Sequence, residues 1–276
     1  MQLQLRKFDV SNIADDKIIV FIGKRYTGKS FLVRDILYHK RNFPIGTVIS
    51  PTENSNNFFG QIIPPIFIHD EYKPEIIENV LKRQTVIMKK MNKEIQMYGR
   101  TNIDPRAFLI LDDCLYDNSW KRDKNIRYIF MNGRHKSLFF MITMQFVLGI
   151  APELRTNVDY IFICRENIIS NRKRLYESFA GMFPTFEIFC TVMDACTENF
   201  ECLVIDNTSK SNKLEDQVFW YKASEHESFT IGNRALWEIH NANVNNEDED
   251  GEEELFDINV FKKKKSTPLL NVKKTF

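Results

Sequence analysis

Three observations predict a mostly parallel, doubly wound α/β sheet with helices on both faces. Continuous apolar runs such as "KIIVFIG" (17–23) lack the polar alternation of a half-exposed strand, which is how a strand covered on both faces looks. Segments with apolar residues at helical spacing separate these runs, so strands and helices alternate along the chain. The chain has 276 residues, 43% hydrophobic and 27% charged. That is the size and composition of one α/β domain with a sizeable core.

The elements follow in order. After the strand at 17–23, "KSFLVRDILYHK" (29–40) has helical spacing. "GTVIS" (46–50) and "IFIH" (66–69) are short strands. "PEIIENVLKRQTVIMKKMNKEI" (74–95) is a long amphipathic helix with proline in its first turn, where a missing N–H costs nothing. Strands recur at "AFLILDD" (107–113), "LFFMITMQ" (138–145) and "DYIFICR" (159–165), with helices expected at 122–132 and 168–180. "ECLVIDN" (201–207) and "QVFWYK" (217–222) extend the sheet or edge it. The expected organisation is a domain over 1–240 and a tail over 241–276. The tail is acidic and then basic ("KKKK", 262–265), a composition that predicts disorder. No internal repeat is present.

Charge and cysteine content exclude some function classes. The net charge is +1; the tail carries eight acidic and six basic side chains, which leaves residues 1–240 near +3. That balance permits a nucleic-acid partner without demanding one. The five cysteines form no CxxC pair, and the six-residue spacing of Cys190, Cys196 and Cys202 suits neither a zinc knuckle nor a redox motif. With Cys114 and Cys164 they are expected as buried thiols in a reducing compartment. "MQLQLRKFDV" has no apolar core of a signal peptide, and the longest apolar run, 138–151, is too short to span a bilayer. The expectation is a soluble, intracellular protein.

The chemistry lies in "FIGKRYTGKSF" (21–31), which contains Gly23-x4-Gly28-Lys29-Ser30 between a strand and a helix. Such a loop cradles phosphates. Glycines let the chain curl and approach the anion without a Cβ in the way, and the following helix offers uncapped amides. Gly23, Lys24, Arg25, Tyr26, Thr27, Gly28, Lys29 and Ser30 form the expected ATP-binding loop. Lys29 reaches the β- and γ-phosphates, and the Ser30 hydroxyl binds Mg²⁺. "FLILDDC" (108–114) supplies the acidic strand end: Asp112 holds Mg²⁺ through water and Asp113 polarises the attacking water. Gln145, at the tip of the next strand, is placed to sense the γ-phosphate. Arg134 and Arg155, on either side of that strand, are alternative candidates for an arginine finger acting on a neighbouring subunit. Residues 121–136 carry six basic side chains against Asp123, a density that suits either a phosphate-backbone footprint or a solvated helix face.

The order of the phosphate loop, "ISPTENSNNFFGQIIPPIFIHDEY" (49–72), "LILDDC", "MNGRHKSLFFMITMQ" and "PELRTNVDYIFICRE" (152–166) resembles the genome-packaging ATPases of nucleocytoplasmic large DNA viruses, of the poxvirus, iridovirus and mimivirus type. These belong to the FtsK/HerA superfamily of DNA-pumping ATPases. The resemblance covers roughly residues 15–222 and implies a RecA/FtsK-HerA-like P-loop NTPase fold. It also implies ATP with Mg²⁺, a homo-oligomeric ring, and non-specific double-stranded DNA as substrate. A capsid vertex or an inner-membrane viral protein would be the docking partner, at cytoplasmic assembly sites or in the virion. Many superfamily members have Asp-Glu where this chain has Asp112-Asp113, so an orienting role for Asp113 stands beside that of direct base. The other readings are a cellular HerA-like helicase, a nucleoside kinase, which lacks its arginine-rich lid here, a GTPase, which lacks its Asn-Lys-x-Asp motif, and a scaffold that binds ATP only to assemble. The tail lysines suit DNA, a capsid vertex, an import receptor or plain solubility.

Overall fold

Alternation of side chains along strand β2 (Ile18–Ile22) explains how the sheet comes to be covered on both faces. Ile18, Val20 and Ile22 enter one apolar core, while Ile19 and Phe21 enter the other. The computed structural model describes residues 3–114, 119–146 and 150–241. These carry nine strands in the order β1-β9-β8-β7-β2-β6-β5-β3-β4, with β1 at Arg6–Lys7, β3 at Gly46–Ile49, β4 at Ile68–His69 and β5 at Ala107–Leu111. The remaining strands are β6 (Leu138–Met144), β7 (Tyr160–Ile163), β8 (Glu201–Asp206) and β9 (Val218–Lys222). Every pairing is parallel except those of β8 with its two neighbours, so β8 alone runs against the rest.

One face is covered by helices α3 (Pro74–Tyr98), α4 (Lys124–Asn132), α6 (Ile169–Phe179) and α7 (Phe186–Cys196), with Leu154 of the short α5 (Pro152–Arg155) joining the same core. The other face takes α1 (Lys29–His39) and segments without long helices around Phe43, Phe59, Ile62 and Ile231. The short α2 (Glu53–Asn56) follows β3. Phenylalanine fills much of the interior: the rings of Phe21 and Phe162 lie 5.1 Å apart, and Phe43 meets both Phe108 and Phe139. Two-sided cover is therefore as expected, although unevenly built.

Three elements differ from expectation. α7 carries no clear signal in the sequence, because "FEIFCTVMDAC" is a short, mostly apolar run of the kind that does not separate a helix from a strand. Its start is nevertheless marked, since the Thr185 hydroxyl caps the Ile188 amide after Pro184. β1 has two exposed charged residues and exists through backbone pairing to β9, which no side-chain pattern announces. β4 is shorter than "IFIH", because Pro65–Phe67 forms a 3-10 turn. Of the disordered tail expected over 241–276, all but Asn241 lies outside the described residues. No helix among the described residues is long and apolar enough to cross a membrane.

Tyr221, Ser224 and His226 anchor the segment after β9. Tyr221 Oη, the Ser224 amide and His226 Nε2 all bond the carboxylate of Asp35, which is buried in α1. A carboxylate removed from water is held by such multiple bonds or not at all.

Cys114, Cys164, Cys196 and Cys202 are buried, and Cys190 is half-buried. Burial raises the thiols of Cys164 to about 11 and Cys196 to about 12, and lifts Cys202 well above its ordinary value. Thiolate, not thiol, reacts. A colorimetric thiol titration of the native protein at pH 7 is therefore expected to show one reacting group, Cys190, with the other four appearing only in denaturant. Two or more fast thiols would contradict this packing.

Candidate nucleotide-binding site

The site lies along the edge of the sheet where the parallel strands end. Register fixes its composition. Ile22 stands opposite Met144 on one side and Ile163 on the other, and Leu111 stands opposite Ile142 and Ile49. The residues just past these ends fall in one row: Ser50, Asp112 and Asp113, Gln145, Gly23, and then Cys164 to Glu166.

The loop between β2 and α1 has the backbone that the motif requires. Gly28 sits at φ +95° and Tyr26 at +63°. A Cβ on Gly23 would stand 2.6 Å from Cys164 Cβ and 2.5 Å from Thr27 Oγ1, so only glycine fits beside β7. Gly28 is the N-cap of α1 and offers no side-chain cap, which leaves the first amides of an eleven-residue helix directed at the loop. Lys29 Nζ donates to the carbonyls of Gly23 (2.7 Å) and Lys24 (2.9 Å). Burial lowers its ammonium below the ordinary value, and the charges of Asp113 and Asp112 partly offset this. Ser30 lies in the first turn, half-buried, while Arg25 and Tyr26 face solvent.

Asp112 is buried and doubly bonded: Thr143 Oγ1 donates to its Oδ1 (2.8 Å) and Ser50 Oγ to its Oδ2 (2.9 Å). Burial raises its carboxyl above the ordinary range, and the two hydroxyls work the other way. Asp113 turns into the left-handed region at φ +49°, with its amide donating to Thr143 Oγ1 (2.9 Å). Gln145 Nε2 donates to Asp113 Oδ2 (2.6 Å). Asp113 Oδ1 is buried with no hydrogen-bond partner. A desolvated carboxylate oxygen without a donor suits a cation or a polarised water, and carboxylate and hydroxyl oxygens such as those of Asp112 and Ser30 are the ligand type Mg²⁺ prefers.

Several participants carried no signal of their own in the sequence. Thr143 links both aspartates, and Ser50 holds the first. Each is a lone hydroxyl in or after an apolar run, and that mismatch was the only available hint. Glu166, just past β7, pairs with Lys24 of the loop at 2.7 Å and accepts from the Ile168 amide and Asn171. Burial would raise its carboxyl, but Lys24 and the other two donors outweigh burial and hold it low. The Glu166 carbonyl accepts from Arg172 Nε, and Arg172 in turn pairs with Asp194 of α7. The phosphate loop is thus tied through β7 to two helices.

The two arginines are not at this edge. Arg134 is exposed in the turn Gly133–Lys136, which leads into β6 at the opposite edge of the sheet. Seven strand residues separate the edges, roughly 20 Å. Arg155 Nε donates to the Ile150 carbonyl, and its guanidinium lies 5.7 Å from the Phe179 ring centre. Neither contacts Asp112, Asp113 or Gln145 among the described residues. The basic residues of 121–136 are strung along α4 and both its flanks, and Arg127 is paired with Glu153.

Two substitutions test this geometry. Gly23→Ala is expected to destabilise the fold by about 1–3 kcal/mol through overpacking against Cys164, and to weaken nucleotide binding, as read by thermal melts with and without Mg²⁺-ATP. Asp113→Asn preserves the shape and the contact with Gln145. It is expected to keep nucleotide affinity within a few-fold while lowering turnover by at least about a hundredfold, which steady-state and binding measurements separate.

The loop, the paired strand-end acids and the amide between them can be set against known proteins. No protein-family model matches the chain. It is 42% identical over 247 residues to an uncharacterised protein of Acanthamoeba polyphaga mimivirus, covering 89% of this chain and 86% of that one. It is 40% identical over 222 residues to an uncharacterised protein of Invertebrate iridescent virus 6, covering 80% and 82%. Among solved structures, the genome-packaging NTPase of Sulfolobus turreted icosahedral virus 2, in complex with AMP, superposes with a TM-score of 0.50 at 15% identity, over 77% of this chain and 100% of that one. At that identity the likeness establishes the fold alone. The chain therefore belongs to the family formed by these mimivirus and iridovirus proteins, within the virus group whose packaging ATPases its motif order resembles, and it has the P-loop NTPase fold.

Proposed function

We propose that this protein hydrolyses ATP to drive double-stranded DNA into a preformed viral capsid, working as a homo-oligomeric ring. The observation that carries the reading is the Asp113 carboxylate. It is fixed on one oxygen by Gln145, buried and unpartnered on the other, and set across the edge from a phosphate loop. A loop that served only to bind nucleotide would not need a second, desolvated carboxylate beside the first.

The geometry supports the following roles. The amides of residues 24–30 and the Lys29 ammonium bind and orient the phosphates. Ser30 and Asp112 would hold Mg²⁺, which would neutralise charge on the transferring phosphoryl group. Asp113 takes the proton of the attacking water or orients that water, and Gln145 holds Asp113 in place while its own amide reads the γ position. Thr143 and Ser50 keep Asp112 aimed. Lys24 and Glu166 couple the loop to β7 and α6, giving nucleotide state a mechanical route into the body of the domain.

Arg134 is the better candidate for the finger in trans. It is exposed, has no side-chain partner among the described residues, and lies at the edge opposite its own site, so only a neighbouring subunit's nucleotide is within its reach. Arg155 is committed to Ile150 and Phe179. A ring closed through such contacts links hydrolysis to relative motion of adjacent subunits, and DNA would be gripped through its phosphates without base reading. Membership in a large-DNA-virus family favours packaging over a cellular helicase.

The test is steady-state ATP hydrolysis with and without long double-stranded DNA at two salt concentrations. Stimulation by DNA that fades as salt rises is expected, because phosphate contacts release counterions. Turnover indifferent to DNA would overturn the motor reading.

A further inference from the structure

The reversal of β8 brings its first residues to the same sheet edge as the ends of the parallel strands. Glu201 pairs with Lys222, so the start of β8 and the end of β9 both lie beside the phosphate loop. The turn entering β8 holds Asn199 and Phe200 at φ +51° and +65°. It presents the Phe200 ring to solvent at 66% exposure while setting that ring against the loop, 3.7 Å from where a Cβ on Gly28 would stand. Phe31, in the first turn of α1, is 61% exposed. Together with Gly28 and residues 222–225 the two rings line one cavity of about 280 Å³. That is near the lower end of small-ligand sites, roughly 300–1,000 Å³.

The cavity has a fixed wall. Residues 221–226 are clamped to α1 by the three bonds to Asp35, so Ser224 and its neighbours are held against the helix that the loop begins. Its position along the edge is equally defined. Strand order places Asp112, Asp113 and Gln145 on one side of Gly23, and β7, β8 and β9 on the other. A nucleotide lying across the loop with its γ-phosphate toward the carboxylates carries its ribose and base toward Phe200.

We propose that this cavity receives the purine base of the nucleotide, stacked on Phe200 with Phe31 as the second wall. The inference rests on the nucleotide-binding reading of the loop. Two large aromatic rings left in water beside a phosphate site are an unsatisfied apolar surface, and a purine offers a flat face of matching size. Stacking reads the face of a base rather than its edge, so affinity is gained with little choice among purines.

The experiment is calorimetric titration of the full chain, in Mg²⁺, with ATP and separately with inorganic tripolyphosphate, for the wild type, Phe200→Ala, Phe200→Trp and Lys29→Ala. Alanine keeps the same demand for positive φ at position 200, so the comparison isolates the ring. Phe200→Ala is expected to weaken ATP about tenfold or more while leaving tripolyphosphate within about twofold, and Phe200→Trp to restore ATP and show indole quenching as it binds. If Phe200→Ala changes neither ligand, or both equally, the base pocket is wrong while the phosphate loop stands. If the wild type binds neither ligand, or if binding survives Lys29→Ala, the nucleotide reading itself fails and the pocket falls with it.

Discussion

One strand, β6, lies between β2 and β5, and its parallel register with both determines what can meet at the nucleotide edge. Pairing of Ile22 with Met144 and of Leu111 with Ile142 brings Gly23 level with Gln145 and sets Asp113 one residue behind them, at the same edge. A slip of one residue would turn every side chain of β6 to the other face, exchanging the two cores and moving Thr143 away from both aspartates. The site therefore inherits its precision from the core. β6 is buried along its whole length, with Phe139 and Met141 in one cluster and Phe140, Ile142 and Met144 in the other, so a slip would have to repack both cores at once.

Within that frame the polar groups form a short chain of obligations. Asp112 is out of water and must be bonded, and Ser50 and Thr143 supply the donors. Thr143 spends its own acceptor on the Asp113 amide, which secures the left-handed turn at Asp113. That turn aims one carboxylate oxygen at Gln145 and leaves the other desolvated. A buried acceptor without a donor costs stability, of the order of 1–3 kcal/mol, and such a cost is typical of a site poised for a ligand. On the other side of the loop, Lys24 is held by Glu166, and Glu166 is held through Arg172 to α7. The loop is thus braced on its β7 flank, and on the β6 flank the Gly23 amide donates to the Met144 carbonyl.

The two edges of the sheet carry different groups. One carries the phosphate loop and carboxylates, and the other carries the turn with Arg134. A single subunit cannot bring these together, because a whole strand length lies between them. Any role for Arg134 in hydrolysis therefore requires a second copy, which is the arrangement a ring provides. The reversed strand β8 adds a further asymmetry. Since it alone runs backwards, its entry turn joins the nucleotide edge, and Phe200 comes to stand at the loop.

Much of this protein was legible in its sequence, for reasons that can be named. The strand-loop-helix over residues 17–40 follows from local requirements: a run buried on both faces, glycines for curl and close approach, and helical spacing after Lys29. Asp112, Asp113 and Gln145 were visible because each ends an apolar run, where a strand must stop and a polar group can reach the edge. What tertiary structure decided are the facts that depend on who sits beside whom. Thr143 and Ser50 become carboxylate donors only through the neighbours their register assigns. Glu166 meets Lys24, and Phe200 meets Gly28, only because β7 lies beside β2 and the reversed β8 lies beside β7. α7 was hidden because a short, mostly apolar run fits helix and strand alike, and β1 exists through backbone bonds to β9. Local chemistry writes a motif into consecutive residues, whereas the contacts that orient it come from strand order, which hydrogen bonding and burial settle for the whole sheet at once.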